Sequence, residues 1–165
     1  MNVNIGQYCV GSCLKHLHGC KTVDYTHKFG KPRGEEGVVI GLDPTKNTVY
    51  ICEVIINLNG LRLGPRKQVT IENMREKFLK MKSLGDLVFK DFNKQFMLWS
   101  PYVPKGLRED LYLLSRELNM EVRFRVNKLF TKEMDALLER ASNTCADFND
   151  PFFRVLQILT NLRRK

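Results

Sequence analysis

Apolar positions along the chain change period several times, and each change marks an element. From Ile5 the apolar residues Cys9, Cys13, Leu14 and Leu17 recur at helical spacing, Asn4 offers a cap, and Gly19 provides a stop. Lys21 to Thr26 alternates through Val23 and Tyr25, as a short strand does. Val38 to Leu42 and Thr48 to Ile56 are rich in β-branched residues and flank Asp-Pro-Thr-Lys-Asn, which predicts a hairpin. Thr70 caps a predicted helix with Ile71, Met74, Phe78 and Met81 on one face and Arg75, Lys77, Lys80 and Lys82 outside it. Gln95 to Ser100 reads as a strand, stopped by Pro101 and Pro104. Leu107, Leu111, Leu114 and Leu118 predict another helix, and Met120 to Val126 a half-exposed strand. Helices over Lys132 to Ala141 and Pro151 to Leu162 follow, the second with Pro151 in its first turn and Phe152, Leu156 and Leu159 on one face.

This order predicts an α/β fold with a mixed central β-sheet flanked by helices. No repeat, low-complexity tract or linker divides the 165 residues, so one domain over 1–165 is expected, and 43% apolar residues suffice for a core. Five cysteines, an odd number, fall in predicted elements, which argues against a secreted disulfide scaffold. The N-terminal stretch lacks a signal-peptide pattern, and no apolar run approaches the ~20 residues of a membrane span. A soluble, cytoplasmic protein with no membrane partner is the expectation. A homodimer is compatible with the sequence.

The hairpin holds the residue of greatest interest. If its turn is Pro44 to Asn47, Asp43 faces Thr48 and paired residue numbers sum to 91, which sets Val38 opposite Glu53 and Glu36 opposite Ile55. All four then share one face of the hairpin. A carboxylate within Tyr50-Ile51-Cys52-Glu53-Val54-Ile55-Ile56 is costly to bury unless a metal, a cation or a hydrogen-bond donor meets it. Asp43, on the turn, is a turn-forming residue.

GEEGVVIGLD, ICEVIINLNGL, MLWSPYVPKG and DPFFRVLQILTNLRRK together resemble the PD-(D/E)XK nucleases, over most of the chain. That resemblance implies a restriction endonuclease-like fold and a DNA endonuclease holding Mg²⁺ or Mn²⁺ on the hairpin, where the metal activates water against a phosphodiester. Glu53 matches the second-strand acid of the motif and Glu36 a flanking acid, so these are the implied catalytic and metal-ligating residues. The sequence departs from the motif at Val38, where the first-strand Asp belongs, and at Ile55, where the Lys belongs. Two outcomes follow: metal-dependent hydrolysis on Glu36 and Glu53, with Lys31 or Arg33 replacing the missing Lys, or a fold kept as a scaffold for nucleic acid or a protein partner.

The formal charge of +9 favours a polyanionic partner, DNA first among them. Lys31 and Arg33 before the hairpin, and Arg62, Arg66, Lys67 and Arg75 after it, are the candidate nucleic-acid-binding residues. Cys9, Cys13, His16, His18 and Cys20 hold potential zinc ligands, three of them on one helix face, but Cys9 and Cys13 also lie on the apolar stripe, so core packing is the stronger reading and zinc is not expected. Trp99, ending a strand, reads as a core anchor.

Overall fold

A computed structural model describes residues 4–27 and 38–162. It contains α1 (Ile5–His16), β1 (Thr22–His27), β2 (Val38–Asp43), β3 (Thr48–Val54), α2 (Lys67–Leu87), β4 (Asn93–Ser100), α3 (Lys105–Glu117), β5 (Val122–Val126), α4 (Lys128–Ser142) and α5 (Pro151–Leu162). The strands form one five-stranded sheet in the order β1-β2-β3-β4-β5. β1, β2 and β3 pair antiparallel, whereas β3, β4 and β5 run parallel, so the sheet is mixed. Parallel neighbours need long crossovers, and α2 and α3 supply them.

Both faces of the sheet are covered, which explains the near-continuous apolar runs of the central strands. On one face α2 and α3 bury Met74, Phe78, Met81, Leu107, Leu111 and Leu114 against Val38, Ile40, Ile51, Ile55, Leu98 and Phe124. On the other, Val10, Cys13 and Leu14 of α1, Leu137 of α4 and Phe153 of α5 meet Val39, Cys52, Val54, Met97 and Trp99. Gly41 faces the end of α1 so closely that a Cβ there would lie 2.7 Å from Cys20 Sγ and 3.0 Å from Leu14 Cδ1. Glycine in mid-strand is therefore a requirement of helix-on-sheet approach.

Local chemistry sets the ends. Asn4 and Gln7 form the capping box of α1, each side chain meeting the other's backbone N–H. In the hairpin turn, Asp43 Oδ1 accepts from Thr45 N at 3.0 Å, Thr45 Oγ1 at 2.5 Å and Lys46 N at 3.3 Å, as a turn-forming aspartate should. Asn47, Asn119, Asn127 and Asn149 all have positive φ, the conformation asparagine adopts most readily among residues with a Cβ. Asn127 also clamps the backbone of Val103, donating from Nδ2 to its carbonyl (2.9 Å) and accepting from its N–H (2.7 Å). This ties the end of β5 to the segment after β4.

Four expectations need correction. Thr70 is not the cap of α2: the helix begins at Lys67, and Thr70 is buried in its first turn, accepting from Leu63 N. α4 starts four residues before the predicted Lys132, because Lys128 to Thr131 continue the helix directly from the Asn127 clamp. Ile5 and Leu159, which the spacing assigns to buried stripes, are exposed by 68% and 50%. On α5 the inward positions are Phe153 and Gln157, one turn apart, with Phe152 and Leu156 only partly covered.

Candidate functional site

The hairpin register is the one that the turn dictates. Asp43 pairs with Thr48, Leu42 with Val49, Gly41 with Tyr50, Ile40 with Ile51 and Val39 with Cys52, each pair summing to 91. Continuing that sum sets Val38, the first residue of β2, against Glu53 near the end of β3. Val38 and Ile55 are each 1% exposed and belong to the core under α2 and α3. Glu53 lies between the same layers and is 2% exposed.

A buried carboxylate requires compensation, and α2 brings it. Lys77 Nζ donates to Glu53 Oε1 at 2.6 Å, a short charge-assisted bond; the lysine side chain is 20% exposed and the glutamate side chain 2%. This corrects the expectation that Lys77 lies on the outer, basic surface of the helix. Its position explains the difference: it stands three residues after Met74 and one before Phe78, both fully buried, so helical geometry turns it toward the sheet. That spacing is present in the sequence.

The other predicted cations separate into two groups. Arg75 forms a bidentate pair with Glu117 of α3 at 2.8 and 2.7 Å, and Lys67 meets Asp110 of α3 at 2.5 Å. Lys82 Nζ donates to the Leu118 carbonyl at 2.9 Å. These cations of α2 thus help to hold α3, while the Lys67 and Arg75 side chains stay 56% and 39% exposed. Arg62 and Arg66, by contrast, are exposed in the connection that leaves β3 just beyond Glu53, and they make no ion pair among the described residues. Glu36, Lys31 and Arg33 lie outside the described residues.

Magnesium favours near-octahedral oxygen coordination, usually one or two carboxylates with water or phosphate completing the shell. Of Val38, Glu53 and Ile55, Glu53 alone carries a carboxylate, Val38 and Ile55 present only carbon, and the acid is already bonded to an ammonium. By themselves these three residues do not make up a magnesium site.

The potential zinc ligands are dispersed to other tasks. Cys9, Cys13 and Cys20 are buried free thiols. His16 Nε2 lies 3.2 Å from Asp150 Oδ2 and its ring stacks on Phe153 with centroids 3.7 Å apart. His18 Nε2 lies 3.2 Å from Glu133, whose other oxygen meets Arg125 Nε at 2.7 Å. Among the described residues no group of three or more metal-ligating side chains converges. Burial of Cys20 pushes its thiol up to about 12, and Cys52 is raised further for the same reason, so neither is a ready nucleophile.

Sequence reasoning gives no role to Asp150. Its Oδ1 and Oδ2 accept from Ser12 Oγ at 2.9 and 2.8 Å, and Oδ1 also accepts from Phe153 N at 3.2 Å, capping α5. Serine and histidine both meet the aspartate and not each other, so this is a clasp between α1 and α5 and not a nucleophilic triad, in which the histidine stands between the other two. Comparison with models of known families, with curated proteins and with solved structures gives no match.

Proposed function

We propose that this chain is a DNA-binding protein built on a restriction endonuclease-like, PD-(D/E)XK-type core, in which a fixed ion pair has replaced the metal chemistry of the hairpin. One observation carries the reading: Glu53, at the motif's acid position, is held at 2.6 Å by Lys77, while the positions that should complete a metal site are the buried Val38 and Ile55. The ammonium neutralises a carboxylate that otherwise calls for a divalent cation. DNA is the favoured partner because the chain carries +9 and because Arg62 and Arg66 are exposed at the end of the sheet where Glu53 sits.

The first test is binding of duplex DNA as salt is varied. Affinity should fall steeply with salt, and Arg62→Gln with Arg66→Gln should lower the slope of log affinity against log salt by roughly 2, one for each phosphate that an arginine no longer neutralises. Salt-independent binding would count against a DNA-binding role. The second test is incubation of supercoiled plasmid with Mg²⁺ or Mn²⁺, using the wild type and Glu53→Ala. Neither should cleave.

A second reading keeps the chemistry: Glu53 and Glu36 hold Mg²⁺ or Mn²⁺, and Lys77 provides the cation that Ile55 lacks. The observation favouring it is the same short bond from α2. Cleavage by the wild type that disappears in Glu53→Ala would establish it and overturn the non-catalytic proposal.

A further inference from the structure

Strands β3, β4 and β5 run parallel, so their carboxyl ends lie at one end of the sheet, the end at which open α/β sheets bind ligands. Three connections leave from there: residues 57–66 toward α2, residues 101–104 toward α3, and Asn127 into α4. They are tied to one another. Leu61 N donates to the Tyr102 carbonyl at 2.8 Å, and Asn127 holds both backbone groups of Val103. Gly60, at a φ of +100°, stands so close to the Tyr102 ring that a Cβ there would lie 2.9 Å from Cδ1.

Residues 57–67, 101–108 and 127–131 carry Arg62, Arg66, Lys67, Lys105, Arg108 and Lys128, and no acid. Arg108 is half-buried and the other five are exposed. Glu109 and Asp110 follow on α3, the second meeting Lys67, and they leave this end of the sheet strongly positive. Each of α2, α3 and α4 begins on a lysine, with no acid in its first turn and no side-chain cap. The helix dipole disfavours a cation at that position, so helix stability does not account for the three lysines. An aromatic ring stands among these charges. Of the five tyrosines, Tyr8, Tyr25, Tyr50 and Tyr112 each pack against another ring, whereas Tyr102 has no ring partner among the described residues and is 52% exposed.

We propose, resting on the DNA-binding reading above, that this end of the sheet binds single-stranded DNA, the cations meeting phosphates while the Tyr102 ring stacks on an unpaired base. A base inside a duplex has both faces covered by its neighbours, so an exposed ring set among cations suits a strand whose bases are free. Neighbouring strands of a sheet lie about 4.8 Å apart, so the three connections span roughly 10 Å, the run of about two or three phosphates. Gly60 and the bond from Leu61 hold Tyr102 in place, which reduces the ordering cost of stacking.

The test measures fluorescence anisotropy of a labelled oligothymidine of roughly 16 nucleotides, alone and annealed to its complement, over a salt series. The single strand should bind more tightly than the duplex. Tyr102→Ala should weaken single-strand binding at least about fivefold, the lower end of what one stacked base contributes, and leave duplex binding within about twofold. Tyr102→Phe, which keeps the ring, should bind as the wild type does. Lys105→Gln with Lys128→Gln should lower the slope of log affinity against log salt on the single strand by about 1.4, roughly 0.7 for each phosphate contact removed. Lys90→Gln, an exposed lysine ahead of β4 at the opposite end of the sheet, should leave that slope unchanged. Tighter binding of the duplex, a single-strand affinity indifferent to Tyr102→Ala, or an equal loss on both forms would overturn this inference and leave the DNA-binding reading standing. Absence of binding to either form at low salt would overturn both.

Discussion

Replacing Lys77 by methionine should lower the unfolding free energy by about 2–4 kcal/mol, near the lower end of the cost of removing one partner from a buried ion pair. The reason is asymmetry. Glu53 is almost wholly enclosed, so the missing ammonium is not readily replaced by water, whereas the partial exposure of Lys77 lets some solvent in and moderates the loss. Glu53→Leu alone should be less damaging, because the lysine can swing outward to solvent. The double variant Glu53→Leu with Lys77→Met should recover most of the stability of the wild type, since an apolar pair of similar volume replaces a desolvated one. Urea denaturation of all four proteins gives the coupling energy. Additive single-variant effects would show that the ion pair has no energetic role. If DNA affinity survives in the double variant, the pair is structural and the exposed arginines do the binding.

Asp150→Ala should cost about 3 kcal/mol, through a different mechanism. Ser12, His16 and the Phe153 N–H meet at this carboxylate, and its removal leaves Ser12, which has no exposed surface, and the His16 ring beside an unfilled space. The α5 cap is lost as well, typically about 1 kcal/mol of the total. Burial alone would raise the Asp150 carboxyl, but the bonds from His16, the Phe153 N–H and Ser12 outweigh it and hold the group below the ordinary aspartate value. A group depressed in the folded state contributes stability above its unfolded value near 3.8, and that contribution is lost as pH falls through the lower folded value. The gap in urea midpoint between wild type and Asp150→Asn should therefore narrow as pH falls from about 5 toward 3. Glu133 is depressed too: burial raises it, but His18 and Arg125 outweigh that, so wild-type stability itself should fall in acid. A gap that persists undiminished at pH 3 would mean that the network does not depend on the ionised carboxylate.

Much of this architecture is legible in the chain. The register of β2 and β3 follows from one turn, because Pro44 to Asn47 has a composition that closes a four-residue loop, and side chains in paired strands alternate strictly. The element order follows from changes of period, since a helix and a strand expose their apolar residues at different spacings. Trp99 reads as an anchor and is fully buried. Element ends are less legible: the Asn127 clamp on Val103, which starts α4 early, joins residues 24 apart.

What the sequence determined by itself is the hairpin, its face and the presence there of one carboxylate, Glu53, among the apolar side chains of Val38 and Ile55. These depend on local periodicity and on residue identity, which need no knowledge of neighbours in space. What only the tertiary structure decided is where the charges go. Lys77 meets Glu53, Arg75 meets Glu117, and Asp150 joins Ser12 to His16, at separations of 24, 42, and 138 and 134 residues. Charged and polar side chains carry no periodic signature of their partner; a buried carboxylate demands compensation, and which cation supplies it depends on which helix the fold lays across that strand.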